Sequence, residues 1–349
     1  GGGLMQLVAM GAQDVYLTGN PQITFFKVVY RRHTNFSKEA IKQEWNGSGA
    51  SRTCTLARNG DLVQEMYLVG TGMQHADIVS VEVEIGGQKI DKHYSAWLDI
   101  YDELFDDNKD LKAAIHGSFM PLRFWFNRNP GLALPLIALQ YHEVKVVLEL
   151  SSSATGTYSS LLVNYLYLDT DERRRFAQVS HEYLIEQVQH TGPESVCAAT
   201  TDNNASVNKS ITLTFNHPVK ALFWHGLKHH AATEVASYTA KLQLNGHDRA
   251  QEQGHLYYVG VQPYESGLRQ CYSTPTLTVA DPGMYSFCLK PAEHQPSGTC
   301  NFSRIDNARL VLNLTGGSTD LGAQSLNIFA MNYNVLRIMS GMGGLAYSN

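Results

Sequence analysis

The sequence predicts an all-β chain built as two tandem copies of one sandwich, interrupted by a single helix. Three observations carry this: runs with strand periodicity, turn residues between the runs, and recurrence of the same runs in the same order at offsets of 157 to 164 residues. In residues 144–150, Val144, Val146, Leu148 and Leu150 share one face, with Lys145, Val147 and Glu149 on the other. Residues 308–314 repeat this in phase, with Ala308, Leu310, Leu312 and Leu314 against Arg309, Val311 and Asn313. Successive side chains leave opposite faces of a sheet, so this period marks half-buried strands. Residues 54–63 recur at 211–220, with Asn59 and Asn216 each opening a polar turn. Residues 82–88 recur at 241–247, where Ile85 matches Leu244 and the turns are Gly86-Gly87 and Asn245-Gly246. Three collinear echoes predict a duplicated unit.

Taken in order, residues 1–22 read as an arm, a loose segment or a short amphipathic helix that orders on a partner. The first sandwich spans 23–175. Its strands are expected near 23–32, 51–58, 62–69, 78–85, 121–127, 143–150 and 160–168, separated by Gly, Asn, Asp or Pro. In the first of these, Phe26, Val28 and Tyr30 share a face. The helix is expected at 95–105, where Trp97, Ile100, Tyr101, Leu104 and Phe105 recur at helical spacing. Ser95 is its expected N-cap, and Leu98 falls off the apolar face. Charge peaks near 169–182, which marks the boundary. The second sandwich spans 176–336, with strands near 182–188, 209–216, 219–225, 237–244, 256–262, 284–290, 308–314 and 326–335. Residues 337–349, rich in small side chains, read as a C-terminal arm.

The chain has 349 residues, enough for two domains with separate cores. Hydrophobic residues make up 43% and charged residues 17%, as in a folded protein. A net charge of −5 argues against a dedicated nucleic-acid binder, and no direct nucleic-acid binding is expected. The basic run Arg173-Arg174-Arg175 lies beside Asp169, Asp171 and Glu172, which suits a solvated or ion-paired linker. The cysteines Cys54, Cys197, Cys271, Cys288 and Cys300 are odd in number and form no C-x-x-C pair, so free thiols are expected. No basic segment followed by a long apolar core marks a secretory signal. The longest uncharged apolar run, residues 131–139, is too short for a bilayer span of about 20 residues.

Chemistry-bearing motifs are sparse. Neither G-x-G-x-x-G nor G-x-x-x-x-G-K-[ST] occurs. His142-Glu143 and His181-Glu182 do not continue as H-E-x-x-H, since Val146 and Ile185 stand where the second histidine would be. His225, His229 and His230 cluster without a carboxylate or thiol at ligand spacing, and read as a polar loop. Asp102, Glu103, Asp106, Asp107 and Asp110 read as the solvated face and exit of the helix. No catalytic, cofactor-binding or metal-ligating residue is expected. Sequons place candidate sugar acceptors at Asn35, Asn46, Asn204, Asn208, Asn301 and Asn313; Asn46, Asn204 and Asn208 sit in loop-like surroundings.

Residues 11–36, beginning Gly11-Ala-Gln-Asp-Val-Tyr-Leu-Thr-Gly-Asn-Pro21, resemble the N-terminal block of the major capsid proteins of nucleocytoplasmic large DNA viruses, most closely the chlorella-virus type. The resemblance recurs at Glu84-Ile-Gly-Gly-Gln-Lys-Ile-Asp-Lys-His-Tyr94, at 130–145, at 295–307 and at 332–347, which spans nearly the whole chain. It implies a tandem double jelly roll, two eight-stranded antiparallel sandwiches side by side. It also implies a homotrimer, pseudo-hexagonal in outline, that tiles an icosahedral virion shell. Neighbouring capsomers and minor capsid proteins would be partners, an internal membrane would lie nearby without insertion, and assembly would occur in the host cytoplasm. Neither enzyme activity nor a cofactor is implied.

The connections from Phe105 to Phe119, from His225 to Ala240 and after Leu314 are short for the family. Sugars on relatives' loops are therefore not carried over, and a principal shell subunit and a special-position paralogue both stay open. Two other classes are weighed: a jelly-roll glycan-binding or host-attachment protein, and a cupin-type enzyme, which needs a histidine–carboxylate metal set that the His225 cluster does not complete.

Overall fold

The computed structural model describes residues 1–106, 111, 114–198, 205–229, 235–268, 276–316 and 322–348. They form two units, 1–35 and 36–349. The first contains two short helices, Gly2–Val8 and Asp14–Thr18, and all of its side chains are exposed. Residues 23–32 form no strand, contrary to the expectation from their alternation. Period 2 identifies a chain able to pair, but a strand also needs a neighbour for its backbone N–H and C=O groups.

The second unit contains, in chain order, β1 (Phe36–Glu44), β2 (Ser51–Thr55), β3 (Leu62–Thr71), β4 (Ile78–Ile85), β5 (Gln88–Tyr94), β6 (Phe119–Pro121), β7 (Leu134–Pro135), β8 (Val144–Leu150) and β9 (Thr157–Leu168). After the helix Thr170–Gln178 come β10 (His181–His190), β11 (Glu194–Cys197), β12 (Ser206–Leu213), β13 (Pro218–His225), β14 (Val235–Leu244), β15 (His247–Gly254), β16 (Gly283–Ser286), β17 (Cys300–Asn301), β18 (Ala308–Gly316), β19 (Gln324–Met339) and β20 (Met342–Leu345).

The main strand orders are β1-β9-β3-β6 with β2-β8-β4-β5, then β10-β19-β13-β16 with β12-β18-β14-β15. The chain skips between sheets identically in both halves, and this order makes each half a jelly roll. The echoes seen in the sequence are paired strands in matching register. Ile85 pairs with Val144 as Leu244 pairs with Ala308, and Cys54 pairs with Val146 as Ile211 pairs with Leu310. A β-bulge is duplicated too: Ile90 is the extra residue where β5 leaves β4, and Arg249 where β15 leaves β14.

Four expectations need correction. Residues 121–127 are not a strand: β6 ends at Pro121, and the chain then turns into the short helix Trp125–Arg128, which buries Trp125 and Phe126. Residues 256–262 form the π-helical turn Tyr257–Val261, which seats Tyr258 against Trp224 with ring centroids 5.3 Å apart. Tyr94, not Ser95, caps the inserted helix, whose first residue is Ser95. Residues 337–349 are not a free arm. β19 runs to Met339, then Ser340 (φ 54°) and Gly341 (φ 77°) turn the chain back so that β20 pairs with β19. Positive φ at both central residues is the geometry of a tight hairpin turn.

The cores of the two rolls differ. The second is built from residues of its own roll, including Trp224, Tyr238, Leu310 and Ile328. The first includes Val83, Phe124, Val146 and Tyr165, and also takes in Ile185, Leu336 and Ile338 from β10 and β19 of the second roll. The helix Ser95–Leu104 lies between them. Leu98 joins the first core, whereas Trp97, Ile100 and Leu104 pack on Ala221, Phe223, Phe329 and Met331 of the second roll. The residue that seemed off the apolar face thus lies on a second apolar face.

Candidate functional site

The strongest polar feature sits where the rolls meet. Lys220 on β13 is 0% exposed, and a bare ammonium at such a site is costly unless paired. Its Nζ donates to Glu186 on β10 and to the carbonyls of Pro291 at 2.9 Å and Glu293 at 2.8 Å, and lies 5.0 Å from the Tyr333 ring centroid. The other Glu186 oxygen receives Arg128 Nη2 at 3.0 Å, and Arg128 belongs to the first roll. Burial works against the Arg128 cation, but Glu186, Tyr101 and Asp91 outweigh it and hold the guanidinium above its ordinary value. Burial, aided by Lys220 and Arg128 and opposed by Glu186, pushes His294 below the usual imidazole range. One carboxylate therefore bridges two cations, one from each roll.

Along the same seam, β10 reads the bulge of β5. Gln187 Nε2 donates to the carbonyl of Ile90, and Val188 N donates to Asp91 Oδ1 at 3.1 Å. His93 is buried, stacked 4.5 Å from Phe124, with Nε2 3.0 Å from Asp91 Oδ2 but off the line of a hydrogen bond. The C-terminal hairpin closes the far end. Gly343 N donates to His142 Nδ1 at 3.1 Å, and Leu345 N to Gln88 Oε1 at 3.3 Å. A Cβ on Gly343 would lie 2.7 Å from Leu139 and 3.3 Å from Ile85, so any other residue here needs those buried side chains to shift.

The acids of the inserted helix do more than face solvent. Asp99 Oδ1 meets His75 Nδ1 at 2.7 Å; Asp102 meets His75, His116 and Arg123 at 3.4 Å each; Asp106 meets Arg123 at 2.6 Å. Asp107 and Asp110 lie outside the described residues. Sequence reasoning missed this cluster because its members are far apart along the chain and only the fold gathers them.

The singled-out residues scatter. Asn46 is exposed at the turn where its backbone pairs with Thr53. Asn208 is exposed but lies in β12, an edge strand, and not in a loop. Asn313 lies in β18 between two neighbours, and its Nδ2 donates to Glu252 at 3.0 Å. Asn204 falls outside the described residues, as does His230. His225 ends β13 and His229 follows in the loop; among the described residues, the two histidines that gather on one carboxylate are His75 and His116, at Asp102. Arg173 pairs with Asp61 at 3.1 Å, which fits the ion-paired linker, although the linker is helical. Cys54, Cys197, Cys288 and Cys300 are free, and burial pushes the Cys54 thiol up to about 11. Among the described residues no helix is long and apolar enough to cross a membrane.

Comparison with known proteins gives a consistent family. A family model described as "Major capsid protein N-terminus" matches residues 24–184, and one described as "Large eukaryotic DNA virus major capsid protein" matches 172–240 and 227–344. The chain is 51% identical over 413 aligned residues to the major capsid protein of Pyramimonas orientalis virus, covering 100% of both chains. It is 44% identical over 445 to that of Paramecium bursaria Chlorella virus 1, again covering 100% of both. The quasi-atomic PBCV-1 virus capsid superimposes with a TM-score of 0.76 at 38% identity, covering 93% of this chain and 100% of that one. Alignments longer than 349 residues mean that the relatives carry residues with no counterpart here.

Proposed function

The chain belongs to the major capsid protein family of large eukaryotic DNA viruses and is a structural protein of the virion capsid, and from that premise we propose that it assembles as a homotrimer. The observation that carries the proposal is what covers equivalent strands. Within the chain, β5 of the first roll is covered by β10 of the second, through Ile90, Asp91, Gln187 and Val188. The counterparts, β15 of the second roll and β1 of the first, are left largely exposed: β15 buries only Ala250, and β1 only Gln43. The same pairing between molecules, β15 of one copy against β1 of the next, is head-to-tail, and such contacts form a ring when the rotation between copies closes. Three copies bring six similar rolls into one ring, the pseudo-hexagonal outline.

Light scattering across a dilution series tests this, with Ala40→Arg on the outer side of β1 as the variant. The expected result is a wild-type trimer that persists on dilution and a folded, monomeric Ala40→Arg protein. A monomeric wild type, or a variant that still trimerises, overturns it.

The remaining reading follows the family. Trimers meet neighbouring capsomers and minor capsid proteins in an icosahedral shell above an internal membrane, assembly takes place in the host cytoplasm, and the protein performs no catalysis. We divide the rolls near residues 175 and 176, within the helix Thr170–Gln178 that links β9 to β10. Of Asn46, Asn208 and Asn313, the first two offer exposed side chains to a sugar, whereas the Asn313 amide is engaged with Glu252. The three relatives named are capsid proteins, and none of them speaks for the glycan-binding alternative.

A further inference from the structure

One contact at the seam between the rolls has counterparts elsewhere in the chain that do not touch each other. Gln187 of β10 donates to the carbonyl of Ile90, the bulge residue of β5. The duplication identifies the residues that hold the same two places in the other copy. Arg249 is the extra residue of β15, as Ile90 is of β5. Val63 of β3 and Val219 of β13 are both buried, and each stands just before a bulge against its neighbour strand. Val63 pairs with Tyr165, whose partner on the other side is Glu39. Val219 pairs with Asn332, whose partner on the other side is Gln187. Glu39 in β1 thus stands where Gln187 stands in β10, and Ser37 stands where Ile185 stands.

The chemistry at these places changes as a set. Ile90 and Ile185 are buried together in the first roll's core, and Gln187 adds an amide donor. Their counterparts are a guanidinium, a hydroxyl and a carboxylate, all exposed. A carboxylate only accepts, so Glu39 cannot repeat the donation that Gln187 makes to a carbonyl, whereas an arginine side chain supplies five donors. Both charged groups have capacity left. Arg249 Nη1 lies 3.0 Å from the Tyr285 hydroxyl, with the cation 5.8 Å from that ring's centroid, which holds the guanidinium beside the edge strand β15. Among the described residues Arg249 has no ion pair. Glu39 Oε2 accepts from the Tyr167 hydroxyl at 3.0 Å, and Oε1 has no hydrogen-bond partner among the described residues. Spare guanidinium donors and a spare carboxylate oxygen make a charge-complementary pair.

We propose that Arg249 of one copy pairs with Glu39 of the next, as the intermolecular counterpart of the Gln187–Ile90 contact. The inference rests on the trimer reading above and names the residues that set its register. It also gives the interface its selectivity. Exchanging the two kinds of contact would set Arg249 against Ile185 and Gln187, or Ile90 against Ser37 and Glu39. Either mismatch covers a charge without a counter-charge, so the correct neighbour is selected partly by rejection of the wrong one.

The test is sedimentation equilibrium over a dilution series, on wild type, Arg249→Glu, Glu39→Arg and the double variant. Each single reversal sets like charges together and is expected to raise the concentration at which trimers dissociate at least ~100-fold. The double variant restores the pair and is expected to return to within about tenfold of wild type. Arg249→Gln and Glu39→Gln remove charge without reversing it. Each is expected to shift dissociation about tenfold, and they serve if melting curves show that a reversal misfolds. A wild type that is monomeric throughout overturns the trimer reading and the pair with it. Wild-type trimers with single variants that assemble equally well, or with a double variant no better than the singles, overturn the pair alone.

Discussion

The two rolls share strand order, register and a bulge, yet Ile90 and Arg249, the same bulge residue in the two copies, have opposite surroundings. Ile90 is 1% exposed and its carbonyl is engaged by Gln187 of the neighbouring roll. Arg249 is exposed, with Nη1 3.0 Å from the Tyr285 hydroxyl. The cores differ in the same sense, since the first roll borrows Ile185, Leu336 and Ile338 while the second is closed by its own strands. Duplication thus reproduces backbone pairing, which depends on period and turn, whereas side-chain identity follows what lies outside each roll. Ile90, covered within the chain, is apolar, and its twin Arg249, not covered within the chain, is polar.

The sharpest way to break this arrangement is at Glu186. Glu186→Ala leaves Lys220 and Arg128 buried without a counter-charge, and a loss of about 3–5 kcal/mol in urea unfolding is expected. Replacing Arg128, Glu186 and Lys220 together by Met is expected to be near neutral, because the desolvation cost vanishes along with the attraction. If the single and triple variants fall equally, the triad is not what holds the seam. Trp97→Ala is expected to cost about 3–5 kcal/mol and Leu98→Ala about 2–5 kcal/mol. Hydrogen exchange separates them: Trp97→Ala loosens β13 and β19 first, and Leu98→Ala loosens the first roll.

Gly343→Val drives a side chain into Leu139 and Ile85, with an expected cost of about 1–3 kcal/mol. Faster exchange is expected in β4 and β8 with β14 and β18 unchanged; equal loosening of both rolls would refute the asymmetry. The smallest effect is acid sensitivity at Asp77. Burial alone would raise its carboxyl, but N–H groups of Thr155, Gln74 and Gly156 and the Tyr158 hydroxyl outweigh it and hold it below its ordinary 3.8. A depressed carboxyl stabilises fully above its unfolded value, and the contribution is lost as pH falls through the folded value. Asp77→Asn should therefore destabilise near neutrality and flatten the acid slope of the urea midpoint below about pH 4.

Much of this architecture was legible because jelly-roll strands announce themselves by period. Val144, Val146, Leu148 and Leu150 and their echo at Ala308, Leu310, Leu312 and Leu314 mark the same strand in each roll by period alone. What was hidden depends on partners distant in sequence. Phe26, Val28 and Tyr30 alternate like a strand, and nothing in their period reveals that no ladder receives them. Lys220 lies inside an apolar run, and its burial becomes intelligible only when Glu186 and Arg128 come into view. Leu98 looked misplaced because one apolar face was sought where the helix has two. His75, Asp102 and His116 carry no local signature at all, since three separate elements deliver them to one point.

The C-terminal hairpin has a consequence in time as well as space. Domains of a growing chain tend to fold from the N-terminus onward during synthesis. The first roll's strands end with β9, yet its core is sealed only by β10 and by residues of β19 and β20 that leave the ribosome among the last described here. Contacts of such sequence separation form slowly because the intervening loop must close first. A chain interrupted before Leu336 would hold a nearly formed first roll with Ile85 and Leu139 uncovered. Such a fragment is sticky and a fit target for chaperones, while a finished chain hides the same surface.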